Sequence, residues 1–379
     1  MLQQLSEILP YAPWTLLRYV TVRSGGALVT ALVLSWWLGP RLIEWLRDLK
    51  FRQDYRPKDA ERPGDVTGAQ DDQAKRGTPT MGGILVVLAV DVSVLLWARL
   101  NPQVILVLVV MLLFAGLGLY DDWKKVSRQN ASGASGSVKL LVQFAVAAAA
   151  VAYLWRLPSG ATLVTQLHLP FVPAKYSLWA GGTLVMAVTM IVCVFTIVGA
   201  SNAVNLTDGM DGLAIGCTIL CTTVLMVLCY VAGHSEIAKY LLVPKAVGGG
   251  ELAVVCAALI GAGLGFWWFN CHPASVFMGD TGSLAIGGVL GTVAVAIHQP
   301  LTLLLAGGVF VAEALSVMLQ VAWFKHTRRR TGEGRRIFLM SPLHHHFRKK
   351  GWSETKVVTR FYIAGILCAV LALSTLKIR

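Results

Sequence analysis

The sequence predicts an all-α polytopic integral membrane protein with about ten transmembrane helices, and three observations carry that expectation. The 379 residues are 55% hydrophobic and 14% charged, with a mean hydropathy of +0.63, far from the composition of a soluble globular domain. Apolar runs of bilayer-spanning length recur along the whole chain. Lys and Arg are segregated into alternate loops between those runs, as cytoplasmic retention of positive charge requires.

The first run, 19–39, follows MLQQLSEILP, which lacks a basic n-region, so it is expected to be an uncleaved anchor. The polar stretch 56–74 behind it, RPKDAERPGDVTGAQDDQA, has few large apolar residues and is expected to be a mobile cytoplasmic loop. Runs follow at 80–99, 103–120 and 138–155. The alternating stretch from Thr162 to Pro173 then suggests a short β-hairpin outside the cytoplasm, with His168 a surface residue. Further runs lie at 179–199, 212–232, 251–269, 282–298, 302–324 and 357–376. Small residues, as in GGILVVLAV after Met81 and LAIGGVLGTVAVA after Ser283, permit close helix packing in lipid. No internal repeat of the inverted-transporter kind is evident, and the whole of 1–379 reads as a single membrane domain.

Loops 41–76, 124–139 and 325–356 hold nine, four and ten Lys and Arg, whereas the alternate loops and both termini share nine. Both termini are therefore expected outside the cytoplasm, and every loop with a carboxylate patch inside it. The net charge of +13 sits beside membrane spans, where anionic lipid headgroups are the ordinary partner; nucleic acid is not expected. Seven cysteines, with no CxxC, fall mostly within apolar runs and read as small buried hydrophobes.

Carboxylates at span edges are costly, which makes them candidates for chemistry. Asp121 and Asp122 close the 103–120 run, where their charge meets the negative end of a helix dipole. Lys124 and Lys125 could offset it as a solvated cluster, or a hard divalent cation could. Asp208 and Asp211 in NLTDGMDG stand before a helix start, where Asp is a good cap, but capping does not account for Asn202 and Asn205 as well. Asp280 in FMGDTGS repeats that arrangement, with Asn270, His272 and Phe277 in the same loop; an exposed aromatic there suits base stacking. SPLHHHF, Ser341 to Phe347, lies in the most basic loop, and its spacing favours hydrogen bonding or proton shuttling over soft-metal binding. Asp91 and Glu313 are intramembrane acids for which an inter-helix hydrogen bond is the expected use, or for Glu313 a place along a lipid groove.

KRGTPTMGG (75–83), GLYDDWKK, NAVNLTDGMDGLA, SVFMGDTGSLAIGG and SPLHHHFRKKGW, in this order, closely resemble the motifs of the bacterial phospho-N-acetylmuramoyl-pentapeptide transferases, within the polyprenyl-phosphate N-acetylhexosamine-1-phosphate transferase superfamily. The resemblance spans most of the chain. It implies ten transmembrane helices with periplasmic termini in the bacterial inner membrane, and an active site on the cytoplasmic side. The implied reaction takes UDP-N-acetylmuramoyl-pentapeptide and undecaprenyl phosphate to lipid I and UMP with Mg²⁺, as the first membrane step of peptidoglycan synthesis. A homodimer is expected on the same ground.

Matched motif by motif, the resemblance implies that Asp121, Asp122, Asp280 and His344 are catalytic, with Asp280 and Asp122 holding the metal. It implies substrate binding by Lys75, Thr80, Asn205, Asp208, Gly209, Met210, Asp211, Asn270, Phe277, His345 and His346, with Phe277 stacking on uracil. The acidic 56–74 loop is long for the family. The rival within the superfamily is a polyprenyl-phosphate N-acetylglucosamine-1-phosphate transferase, which TPTMGG and SPLHHHFRKKGW disfavour. An ion-coupled transporter is the rival of another class, disfavoured because its charges belong near the bilayer midplane.

Overall fold

Long apolar stretches satisfy their backbone polar groups internally by coiling, which is the reason such a chain becomes a bundle of helices. The computed structural model describes residues 14–49, 77–127, 133–157, 166–172, 178–179 and 183–377. Lys75 and the 56–74 loop lie outside the described residues. The chain runs α1 (Val20–Asp48), α2 (Gly83–Trp97), α3 (Pro102–Ser127), α4 (Gly136–Arg156), β1 (Gln166–Leu167), β2 (Leu178–Trp179), α5 (Thr183–Thr207) and α6 (Leu213–Gly233). It continues with α7 (Ser235–Tyr240), α8 (Leu252–Asn270), α9 (Gly279–Ala296), α10 (Pro300–Ala306), α11 (Gly308–Thr331), α12 (Leu343–Lys349) and α13 (Glu354–Ser374).

Among the described residues nine helices are long and apolar enough to cross a bilayer: α1, α3, α4, α5, α6, α8 with the 3₁₀ turn before it, α9, α11 and α13. The remaining expected span is α2, apolar but 15 residues long. Of the 162–173 stretch, residues 166–172 are described; there β1 pairs antiparallel with β2 beyond it, Gln166 opposite Trp179, and His168, expected at the surface, is buried.

The expected run 302–324 is two helices. The chain breaks at Gly307 and Gly308, residues of poor helix propensity. The break also lets α13 approach, since a Cβ at Gly308 would stand 2.6 Å from Cys368 Sγ. After it α11 outruns the apolar segment and ends at Gly332, whose φ of +80° makes a left-handed cap.

The centre of the bundle is α9, with 16 of its 18 residues buried. Glycines bring its neighbours to backbone contact: a Cβ on Gly287 would lie 2.5 Å from Ala200 O in α5, and one on Gly118 in α3 would lie 2.2 Å from Asp280 O. The second approach sets the C-terminal turns of α3 directly against the first turn of α9. At the other end of α8, Arg23 Nη2 donates to Glu251 Oε1 at 2.6 Å, a buried pair that also accepts Arg99 N–H at 3.0 Å.

Candidate active site

The polar patches of six helices converge at one end of the bundle because successive spans alternate in direction. There the C-terminal ends of α3, α5 and α8 meet the N-terminal ends of α4, α6 and α9. The carboxylates of Asp121, Asp122 and Asp280 each offer an oxygen within 4.8 Å of the others. Three like charges this close need compensation, and two ammonium groups provide it. Lys125 Nζ lies 2.6 Å from Asp121 Oδ2 and 3.1 Å from Asp280 Oδ2; Lys139 Nζ, one turn into α4, lies 3.0 and 2.9 Å from the same two atoms.

The three aspartates occupy different positions. Asp122 is turned onto the start of α9, where its carboxylate accepts from Asp280 N–H (3.2 Å), Thr281 N–H (3.0 Å) and Thr281 Oγ1 (2.8 Å). It satisfies orphan amides at a helix start from another helix. Asp121 is wholly enclosed, accepting Ala134 N–H at 2.7 Å besides the lysines. Asp280 is the outermost, its side chain 15% exposed, and Asn205 Nδ2 holds its Oδ1 at 2.9 Å while also donating to Ser283 Oγ.

Thr80 is buried beside the same helix start; a Cβ at Gly279 would stand 3.0 Å from its hydroxyl and 2.7 Å from Asp122 Oδ2. The segment it belongs to is stitched to the α8–α9 loop: Phe277 N–H donates to Pro79 O, and Gly82 N–H to Phe277 O. This backbone pairing leaves the Phe277 ring half-buried at the loop surface.

The α5–α6 turn contributes the next group. Enclosure, then the negative charges of Asp280 and Asp122, push the Asp208 carboxyl up to about 8, against the pull of the Gly279 N–H bonded to it. Asp211 is buried and ties three elements together: its carboxylate accepts Ala274 N–H at 3.2 Å and meets His272 Nδ1 at 3.1 Å, while its N–H donates to Glu354 in α13. Met210 is buried beneath the turn. Asn270 is taken up by backbone on both sides, accepting Gly212 N–H at 3.1 Å and donating to Val276 O at 2.8 Å. That geometry holds the turn and the loop together.

The histidine run separates into three environments. His344 is fully buried, with Nδ1 3.0 Å from Glu313 Oε2 and its N–H donated to Glu313 Oε1 at 3.1 Å. The His345 ring lies 4.2 Å from it. His346 uses Nδ1 to accept Leu339 N–H at 3.1 Å, and burial followed by the Lys350 charge holds it below the ordinary imidazole value. It staples the loop through that nitrogen.

Every expected site residue except Lys75, outside the described residues, therefore lies on these converging segments. Lys125, Lys139, Glu313, His272 and Glu354 complete the constellation without having been singled out as site residues. Lys125 had a signal, being four residues after Asp121 on one helix face. Lys139 and Glu313 reach their partners only through tertiary packing.

The donor set is one of hard oxygens, suited to Mg²⁺ with phosphate and water completing the shell, and two cationic side chains already sit among those oxygens. The set fits such an ion.

A profile for glycosyl transferase family 4 matches residues 104–298. A phospho-N-acetylmuramoyl-pentapeptide-transferase signature matches residues 75–87. The phospho-N-acetylmuramoyl-pentapeptide-transferase of Opitutus terrae is 47% identical over the full length of both chains. The enzyme of that name from Desulfotalea psychrophila is 47% identical, covering 97% of each chain, and that from Nitratidesulfovibrio vulgaris is 49% identical over 96% of this chain and 95% of its own.

Proposed function

The chain belongs to the phospho-N-acetylmuramoyl-pentapeptide-transferase family, and from that membership we propose how its converging polar end carries out the reaction. The protein transfers phospho-N-acetylmuramoyl-pentapeptide from UDP-N-acetylmuramoyl-pentapeptide to undecaprenyl phosphate, giving lipid I and UMP in peptidoglycan biosynthesis. The observation that carries the reading of the site is the three-carboxylate, two-lysine cluster at the end of the bundle. A water-soluble diphosphate and a bilayer-tethered phosphate can meet only at a membrane surface, and the excess of Lys and Arg in these loops makes that surface the cytoplasmic one.

Asp280, outermost and held by Asn205, would be the principal Mg²⁺ ligand, with Asp122 beside it. The ion, when bound, supplies neutralisation of the donor diphosphate and of the UMP leaving group. Lys125 and Lys139 orient phosphoryl oxygens and hold charge that develops on them. Asp121, fully enclosed, acts through those two lysines to place the lipid phosphate, not by touching it. The half-buried Phe277 ring offers a stacking face for uracil, and the α5–α6 turn offers Asp208 and Asp211 to the nucleotide and sugar.

Direct attack of the lipid phosphate on the β-phosphorus is the favoured course, because a phosphate oxygen is already a competent nucleophile and needs placement more than activation. The enclosure of Asp121 and the use of Asp122 as a helix cap favour it further, since neither is presented as a covalent nucleophile.

The test is UMP release by purified protein in detergent with undecaprenyl phosphate and Mg²⁺, given either UDP-N-acetylmuramoyl-pentapeptide or UDP-N-acetylglucosamine. Release with the first donor alone is expected. Release with the second donor alone would assign the protein to the sister activity, and release with neither would overturn the reading.

A further inference from the structure

Glu313 lies inside α11, a fully buried carboxylate in an apolar stretch, and nothing in the reaction described above uses it. Such a charge is retained only where something requires it. Its two oxygens are both occupied by one residue: Oε1 accepts the backbone N–H of His344 at 3.1 Å, and Oε2 lies 3.0 Å from His344 Nδ1. A carboxylate has only acceptors to offer. The ring therefore carries a proton on Nδ1, and in the neutral imidazole Nε2 then presents its lone pair.

That second nitrogen is buried and has no hydrogen-bond partner among the described residues. An unpaired buried acceptor is costly, and a resting structure retains one where a ligand completes it. It is aimed at the exposed Gly209 of the α5–α6 turn, where a Cβ would come within 2.3 Å of it. The residues flanking Gly209 are Asp208 and Met210, within the turn that carries the proposed nucleotide and sugar contacts.

We propose that Glu313 is a positioning residue, which fixes the tautomer and direction of His344 so that Nε2 accepts a hydrogen bond from an N–H or O–H of the nucleotide-sugar donor at the Gly209 turn. The inference rests on the transferase reading. It adds an acceptor specific to the donor substrate, with no role toward the polyprenyl phosphate.

Glu313→Gln separates this role from packing. The carboxamide keeps the volume but has one acceptor and one donor. The His344 backbone N–H can only donate, so it takes the amide oxygen; the amide NH₂ then faces Nδ1 and drives the ring proton to Nε2. A donor now stands where the substrate needs an acceptor.

The experiment measures UMP release for wild type, Glu313→Gln and Gly209→Ala, varying each substrate separately. Expected are a KM for UDP-N-acetylmuramoyl-pentapeptide about 10- to 100-fold higher in both variants, the range for a mispaired buried group, and an unchanged KM for undecaprenyl phosphate. Gly209→Ala leaves Glu313 itself unaltered, sets a methyl within 2.3 Å of Nε2 to which the ring must yield, and tests the site even if Glu313→Gln fails to fold. ¹⁵N-histidine NMR reads the tautomer directly: the resonance absent in His344→Gln should be Nδ1-protonated in wild type and Nε2-protonated in Glu313→Gln. Equal effects on both substrates, an unaltered donor KM, or an Nε2-protonated wild-type ring would each overturn the inference. Absence of UMP release from wild type would instead remove the transferase reading on which it stands.

Discussion

Lys139 illustrates how much of this site depends on single side chains that no local pattern announces. Its ammonium group lies 3.0 Å from Asp121 and 2.9 Å from Asp280, and in the proposed reaction it holds phosphoryl charge. Lys139→Met keeps most of the stem and removes the charge, so turnover should fall about 10²-fold, the usual loss for one group that stabilises developing charge. Unchanged kcat with normal thermal stability would mean that the lysine only neutralises the aspartates. The sequence counted Lys139 as one more positive charge in a cytoplasmic loop, since its partners are 18 and 141 residues away. Glu313 makes the inter-helix hydrogen bond expected of it, but its partner was hidden for the same reason: His344, 31 residues on, meets it only after α12 folds back against α11.

His298 supplies a pH test outside the reaction. Burial, then the proximity of His168, lowers its pKa from 6.5 to about 4. The folded protein thus keeps it neutral, while the unfolded chain begins to protonate it near 6.5. Its contribution is complete above pH 6.5 and is lost as the pH falls toward 4, up to about 3 kcal/mol at 1.36 kcal/mol per pKa unit. The thermal midpoint in detergent should fall across that window, and His298→Gln should flatten the fall. An identical pH profile in the variant would remove His298 as the cause.

At the level of elements, the helices were legible because the apolar runs are long enough to span a bilayer: among the described residues nine became helices of spanning length, and the run at 80–99 a shorter one of 15 residues. Their ends were less so. The run at 302–324 carries Gly307 and Gly308, but the close approach of α13, which would set a Cβ at Gly308 2.6 Å from Cys368 Sγ, is a tertiary contact that the run does not show. The Arg23–Glu251 pair is an element-scale lock, tying α1 to the start of α8 far from the chemistry. Glu251→Ala leaves Arg23 buried without its counter-charge and should cost about 3–5 kcal/mol, seen as a lower thermal midpoint with turnover retained at low temperature. A midpoint within a degree of wild type would show that α1 does not depend on the pair. Glu313 is a buried acid inside one long helix and Glu251 a buried acid at the cap of another; the first answers to substrate and the second to stability.

The whole molecule is an arrangement for bringing short polar segments, scattered from Thr80 to Glu354, to one end of a bundle. Alternation of span direction does this, and so the shared side of the carboxylate patches was readable from Lys and Arg alone. What the linear order did not carry is the layering within that end: Asp121 innermost beneath two lysines, Asp122 turned onto the first turn of α9, Asp280 facing out. That layering follows from the backbone contact between Gly118 and Asp280, a tertiary fact. It separates three acids that look equivalent in sequence into three tasks.

The central claim is that this cluster is the reaction centre and that Asp280 is its cation-facing group. Asp280→Asn keeps the side chain's shape and an acceptor for Asn205 while removing the charge. Measured by UMP release from UDP-N-acetylmuramoyl-pentapeptide at saturating Mg²⁺, its turnover should drop by about 10³-fold or more, with an elution profile and thermal midpoint matching wild type. Turnover within tenfold of wild type in that folded variant would contradict the account.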